Sequence, residues 1–126
     1  MNRMREAIKQ SAIGPATLTE TAAKQSFNFA ADFIGFEGHF PDYPILPGVL
    51  QNLIAQIVAE QFVGRALRVK SIQRAKFSRQ LKPDEQIDVE VNCSEENGHL
   101  HCATLMHVDS EEASSFTLVF SAGADR

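Results

Sequence analysis

The stretch "FEGHFPDYPILPGVLQNLIAQ", residues 36–56, determines how the rest of this chain has to be arranged. Prolines and glycines crowd its first half, whereas its second half has the composition of a helix. A single histidine, His39, lies in the first half, between Gly38 and Pro41. Because proline fixes its own φ and restricts the residue before it, the backbone around His39 has little freedom. Loops held so tightly usually position a functional group, which makes His39 the first candidate site residue.

The helix that follows this loop is expected to be buried on most of its circumference. Pro47 stands where helices favour proline, at their first position, and the pattern predicts a helix over about residues 48–62 that ends near Gly64. A helix with so much apolar surface has to be covered on most sides, and a sheet wrapped around it would cover it. The polar residues that share one stripe of the helix are Asn52, Gln56 and Glu60.

The remaining sequence supplies that sheet. The expected elements, in chain order, are a surface helix over 2–10, a strand within 17–29, the central helix, and strands over 67–79, 86–93, 99–108 and 116–120. Gly14-Pro15 is expected to end the first helix, and Asn97-Gly98 to form a tight hairpin turn. This order predicts a single α+β domain over 1–126, in which an antiparallel sheet curls around one long helix.

Composition limits the classes of function. The 126 residues suit one domain, with 44% hydrophobic and 22% charged residues, as in ordinary soluble proteins. The net charge of -4 argues against general nucleic-acid binding, and no apolar run is long enough for a membrane span. The first residues show no apolar signal region. Cys93 and Cys102 do not make a disulfide framework and are expected to be small buried residues of a cytoplasmic, reduced protein.

Positive charge is concentrated after the central helix. Seven of the twelve Lys and Arg residues fall within 65–82, a segment without Asp or Glu. One interpretation is a solvated strand face, and the other is a docking patch for an acidic partner or a phosphate. The members expected to share one strand face are Arg68, Lys70, Arg74 and Lys76.

His39 and the start of the helix together suit acyl-thioester chemistry. The first N–H groups of a helix, near Gly48, lack partners within the helix. With the helix dipole, they favour a developing negative charge. A histidine base can remove the proton next to a thioester carbonyl while such an N–H stabilises the enolate oxygen.

Two stretches resemble the hotdog-fold β-hydroxyacyl-ACP dehydratases. "GHFPDYPILPGVL" resembles that family's signature of G-H-F-P, a short spacer and P-x-x-P-G-V-L, and "RAKFSRQLKPDEQIDVEV" resembles the segment after its helix. The resemblance covers roughly residues 36–91. It implies a hotdog fold, His39 as the catalytic base, and the Gly48 N–H as the group that holds the carbonyl. It also implies dimers or larger assemblies, with each active site built from both subunits. By the same resemblance the acyl chain lies beside Phe40 and the helix, and the expected helix contacts are Val49, Gln51, Leu53 and Gln56.

The chain departs from this family where the acid should stand. The family carries Glu or Asp three residues after the leucine of P-G-V-L, and here that position holds Leu53. A shift of one residue would bring Asn52 there, with Gln56 at the spacing of the family's glutamine. Asparagine can orient a hydroxyl but cannot donate a proton at neutral pH. Glu60 is a second candidate as a relocated acid, and Gln51 is a polar candidate that would face the partner subunit.

The leading hypothesis is therefore a 3-hydroxyacyl-[acyl-carrier-protein] dehydratase-like lyase of fatty-acid or related acyl-chain biosynthesis. It would act on a carrier-protein or CoA thioester as a homodimer or larger oligomer, without a cofactor. His99 and His101 share a strand face, but no third ligand is identifiable, so no metal site is expected. The alternatives are a hotdog acyl thioesterase, and a degenerate thioester-binding subunit paired with an active paralogue. The missing carboxylate is the feature that separates these three.

Overall fold

The described residues form six antiparallel strands, two α-helices and a short 3₁₀ turn. This structure, a computed structural model, describes residues 3–37 and 44–121. Its elements are α1 (Arg3–Gln10), β1 (Ala12–Leu18), β2 (Ala22–Asn28), a 3₁₀ turn (Ile34–Phe36), α2 (Gly48–Val63), β3 (Val69–Phe77), β4 (Gln86–Glu96), β5 (His99–Val108) and β6 (Glu111–Ser121). The strands pair in the order β1-β2-β4-β5-β6-β3, and every neighbouring pair is antiparallel. The predicted α+β class is confirmed.

The helix α2 lies in the core, as its apolar composition predicts. Ile54 and Val58 are wholly buried, and the helix contacts β2 and β4. The helix begins at Gly48, as predicted, and Pro47 is its N-cap residue and not its first helical residue. Gly64 ends the helix in the left-handed conformation at φ 77°, which glycine adopts without strain. The sheet contributes large buried side chains to the same core, among them Phe27, Val89, Met106 and Leu118.

The strand β1 was missed by the sequence prediction, which placed one strand before the central helix where the structure has two. Gly14-Pro15 was expected to end the first helix, but α1 already ends at Gln10 and the pair lies inside β1. The strand is at the edge of the sheet, where proline's missing N–H need not cost a ladder hydrogen bond. Gly14 has φ 76°, within an irregularity of the pairing between Ile13 and Thr17. The dipeptide therefore marks a bulged edge strand and not a loop.

Strands β4 and β5 follow their predicted alternation. Val89 and Val91 are buried while Asp88 and Asn92 are exposed. The turn between the strands places Asn97-Gly98 at positive φ (52° and 79°), as the hairpin prediction requires. The residues of β5 expected to face the core are all buried: Leu100, Cys102, Thr104, Met106 and Val108.

The strand β3 forms the other edge of the sheet and is distorted twice. Its pairing with β6 shifts between Val69 and Ser71 and again between Gln73 and Lys76. Each extra residue changes which side chains face the core, because strand side chains alternate with a period of two. As a result, three apolar residues of β3 lie opposite core-facing residues of β6. The pairs are Val69 with Phe120, Ile72 with Leu118, and Phe77 with Ser114.

The two distortions also affect the basic segment. Arg74 lies in the second one with φ 54°, and Lys70 lies in the first. The regular alternation that would have placed Arg68, Lys70, Arg74 and Lys76 on one face is therefore interrupted, although all four side chains are exposed.

The described part of the chain contains no helix that is both long and apolar enough to cross a membrane.

Candidate active site

A cavity of about 380 Å³ lies at the N-terminal end of α2. Leu46, Pro47, Gly48 and Gln51 line it from the helix side, and Phe77 lines it from the end of β3. The segment that leads into the helix is anchored, because the N–H of Leu46 donates to the Leu81 carbonyl at 2.8 Å. The predicted base His39 and the predicted substrate contact Phe40 lie outside the described residues.

Gly48 opens the helix against this cavity. The first intrahelical hydrogen bonds come from the N–H groups of Leu50 and Gln51, which donate to the Pro47 carbonyl at 3.0 and 3.1 Å. The N–H of Gly48 precedes these bonds and has no partner within the helix. A Cβ atom added to Gly48 would stand 3.1 Å from Cζ of Phe77, so glycine allows this ring to lie against the helix start.

The 3₁₀ turn also packs against the start of the helix. A Cβ on Gly35 would stand 2.6 Å from Cδ1 of Leu50. Only glycine fits there without displacing that side chain, so the turn packs directly on the first turn of α2. The segment before residues 38–43 and the segment after them are thus both fixed to the same end of the helix.

Gln51 is the polar helix residue that lines the cavity. Its side chain is 3% exposed, and its Nε2 donates to the Leu46 carbonyl at 3.2 Å. Its Oε1 is buried and has no hydrogen-bond partner among the described residues. An unpaired buried amide oxygen costs about 1–3 kcal/mol, so this atom would gain from a donor on a bound ligand. Sequence reasoning named Gln51 but ranked Asn52 above it.

The other predicted helix contacts do not line this cavity. Asn52 is half-buried, and its Oδ1 has no partner among the described residues. Leu53 packs against the core, whereas Val49 is 71% exposed. Gln56 lies further along the helix, where its Nε2 donates to the Leu67 carbonyl at 2.9 Å. Within one chain, the structure therefore groups Gly48 with Gln51 and places the rest elsewhere.

Glu60 is held in an ion pair and hydrogen bonds within the fold, which argues against a role as the relocated acid. Arg5 of α1 pairs with it through two contacts, Nη1 to Oε1 at 2.7 Å and Nη2 to Oε2 at 3.2 Å. Oε2 also accepts from the Leu67 N–H at 3.0 Å and from Gln56 Nε2 at 3.1 Å. Burial would raise the pKa of Glu60, but the hydrogen bonds from Arg5, Leu67 and Gln56 together lower it below its usual value. Glu60 is thus held as a carboxylate, and its partner Arg5 was not identified from the sequence.

Arg79, on the β3 side of the cavity, is also engaged in ion pairs. Its Nη2 lies 2.9 Å from Glu85 Oε2, and its Nε lies 3.1 Å from Glu111 Oε1. Burial would raise the pKa of Glu85, but the hydrogen bonds from Arg79 and from the Lys82 N–H lower it. Among the described residues, no carboxylate lines the cavity beside Gly48. The described residues that line this wall therefore include no carboxylate that could replace the acid expected at position 53.

No group of three or more His, Cys, Asp or Glu residues within 3–37 and 44–121 could hold a metal ion. The Nδ1 atom of His99 lies 3.2 Å from the carbonyl oxygen of Asn97, in the adjoining hairpin turn.

Comparison with protein families extends these observations. A family model described as ApeI-like, ApeI dehydratase, matches residues 16–116. This chain belongs to the ApeI-like dehydratase family. The 3-hydroxyacyl-[acyl-carrier-protein] dehydratase FabZ of Bacillus cereus (strain AH820) is 32% identical to this ApeI-like chain in an alignment 104 residues long, which covers 76% of the chain and 72% of that protein. FabZ of Bacillus subtilis (strain 168) is 31% identical in an alignment 109 residues long, which covers 80% of the chain and 77% of that protein.

Solved structures share the fold of this ApeI-like chain. The dehydratase heterocomplex ApeI:P from Xenorhabdus doucetiae matches with a TM-score of 0.71 and 24% identity, covering 82% of this chain and 89% of that one. The E. coli PaaI protein from the phenylacetic acid degradation operon matches with a TM-score of 0.68 and 12% identity, covering 94% and 88%. The predicted hotdog fold and the predicted dehydratase family are both confirmed.

Proposed function

We propose that this ApeI-like dehydratase chain removes water from a 3-hydroxyacyl thioester held on an acyl-carrier protein. It would act as a lyase in fatty-acid or related acyl-chain biosynthesis. The observation that carries the proposal is the cavity at the start of α2, which combines the helix N-terminus at Gly48 with the buried amide of Gln51. The reaction named for the FabZ relatives supports the choice of substrate class.

The proposed reaction uses His39 as the base. His39 takes the proton from C2, and the electron pair moves onto the carbonyl oxygen, where the N–H of Gly48 stabilises the negative charge. When the carbonyl re-forms, the C2–C3 double bond forms and the C3–O bond breaks. The departing hydroxide can then take back from His39 the proton that came from C2, and it leaves as water. An amide such as Gln51 can hydrogen-bond the hydroxyl but cannot protonate it, so the chain alone would dehydrate slowly.

A second hotdog chain is proposed to complete the site. The side chains of Val69, Ile72 and Phe77 on the edge strand β3 are 37–48% exposed, and Val49 at the start of α2 is 71% exposed. An exposed apolar edge of this kind favours pairing with another chain. The partner would be either a second copy of this chain or a paralogue, and only the paralogue could supply the missing carboxylate. The ApeI:P neighbour is by its name a heterocomplex. A monomer in sedimentation at micromolar concentration, alone and with such a paralogue, would contradict this part of the proposal.

The basic segment is proposed to dock the acidic carrier protein. Reversing the charges of its exposed residues should raise the KM for a carrier-protein thioester by about tenfold and leave the KM for the CoA thioester nearly unchanged. Added salt should reduce the difference. The variant combines Arg68→Glu, Lys70→Glu, Arg74→Glu and Lys76→Glu.

The matched control for this experiment is Lys24→Glu, which reverses an exposed charge on β2, outside the basic segment. If the fourfold variant and the control behave alike, the segment is a solvated surface and not a docking site.

The reaction itself is tested with the purified chain and three substrates, namely 3-hydroxyacyl, enoyl and saturated acyl thioesters. The expected result is interconversion of the hydroxyacyl and enoyl forms, followed by ultraviolet absorbance of the enoyl thioester. Release of a free thiol from the saturated substrate would instead indicate a thioesterase. Binding without any conversion, alone or with a partner chain, would indicate a degenerate binding subunit.

A further inference from the structure

The two cysteines of this chain lie opposite each other in the sheet. Cys93 of β4 pairs in register with Cys102 of β5, and their Sγ atoms are 2.9 Å apart. Both are free thiols, and neither lines the cavity at the start of α2. The sequence prediction treated them only as small buried residues.

The backbone around this pair suits a covalent bond between the sulfurs. The N–H of Cys93 donates to the Thr21 carbonyl at 2.8 Å, on the β2 side of the strand. Because the N–H and C=O of one strand residue point to the same side, Cys93 and Cys102 form a non-hydrogen-bonded pair. Such pairs bring the Cα atoms to about 4.5 Å, which lies within the separation of about 4.4–6.8 Å that disulfides span. A disulfide could therefore form without separating the two strands.

The two thiols differ in access and acidity. Cys93 is half-buried in the half of β4 that leads into the hairpin, whereas Cys102 is 0% exposed. A hydrogen bond from the Cys102 thiol lowers the pKa of Cys93, against the opposing effect of burial. The same contact, together with burial, raises the pKa of Cys102. Cys93 is thus the thiol that ionises first and can be reached from solvent.

We propose that Cys93 and Cys102 are a redox modification site that closes to an intramolecular disulfide on exposure to a peroxide. The Cys93 thiolate attacks one peroxide oxygen, the O–O bond breaks, and a sulfenic acid and hydroxide form. The Cys102 sulfur then attacks the Cys93 sulfur, and the S–OH oxygen leaves as water with the Cys102 proton. Two thiols lose two electrons in total, and one peroxide is reduced to two waters. The product joins β4 to β5 across the Asn97-Gly98 hairpin.

The test treats the folded wild-type chain with a small excess of hydrogen peroxide and stops the reaction with acid. Intact mass should fall by about 2 Da, the loss of two hydrogens, and neither cysteine should then react with iodoacetamide. The thermal midpoint of the oxidised chain should lie roughly 10 °C above that of the reduced chain. Dithiothreitol should reverse both changes.

Two single-cysteine variants serve as matched controls. Cys102→Ala leaves Cys93 without its resolving partner, so a sulfenic acid should accumulate and be trapped by dimedone. Cys93→Ser leaves only the buried thiol, which should stay reduced over the same time; circular dichroism checks that both variants are folded. The proposal is overturned if the wild type keeps two free thiols, or if it instead accumulates sulfinic acid or disulfide-linked dimers. The wild-type result stands even if a variant fails to fold.

Discussion

His39→Ala is expected to lower the rate of 3-hydroxyacyl thioester dehydration by about 10²–10⁴-fold, the usual contribution of a general base. Without the imidazole, no group identified in this chain takes the C2 proton, and the oxyanion site proposed at Gly48 has no enolate to stabilise. The measurement is turnover of the hydroxyacyl thioester, with thermal unfolding to confirm that the variant is folded. Substrate binding should change much less than turnover, because the role proposed for His39 is in the chemical step.

A matched control for this variant is His101→Ala, on the side of β5 that faces away from the core. It removes the same functional group from another part of the chain and should leave turnover unchanged. If His39→Ala also retains full turnover, the catalytic interpretation of the G-H-F-P loop is wrong. The binding-subunit hypothesis would then account better for the chain.

Asn52→Glu is expected to raise dehydration by about 10²-fold, because it would restore the general acid that the family carries on this helix. Asn52 does not line the cavity of its own chain. Its unpartnered Oδ1 fits a group that serves the site of a second subunit, as the family resemblance implies. The gain should therefore appear in the oligomer and fade when the protein is diluted to monomers. It should also make the rate fall as pH rises through the pKa of the new carboxyl, since that group must be protonated to act.

Leu53→Glu is the matched comparison, because it places the same carboxyl one residue further along α2. Leu53 packs against the hydrophobic core, so a carboxyl there should cost stability without adding activity. A gain from Leu53→Glu would mean that the gapless alignment with the family is correct and that Asn52 has no role. No gain from either variant would assign the acid to a different chain.

The elements with strong local signals were predictable from the sequence. The apolar composition of α2, the Pro47 start, the Gly64 end and the Asn97-Gly98 turn each follow from the conformational preferences of those residues. Gly14-Pro15 misled the prediction, because the same pair fits a loop and a bulged edge strand. The distinction depends on a neighbouring strand that is distant in sequence.

Features that depend on tertiary packing could not be predicted in this way. The pairing of Arg5 with Glu60 joins residues 55 positions apart, and no local pattern indicates it. The rotation of α2 decides whether Gln51 or Asn52 lines the cavity, and helical spacing alone does not fix that rotation. Assigning His39 depended on the loop signature and the family resemblance, since the residue itself lies outside the described structure.

The pairing of Arg5 with Glu60 also joins α1 to a helix that lies inside the family match. The matched segment, residues 16–116, excludes α1. A fragment trimmed to those limits would leave the Glu60 carboxylate half-buried without its guanidinium, and it would remove Ile8, which is 0% exposed. The first helix is thus part of the packed core of this chain, although the family match does not include it.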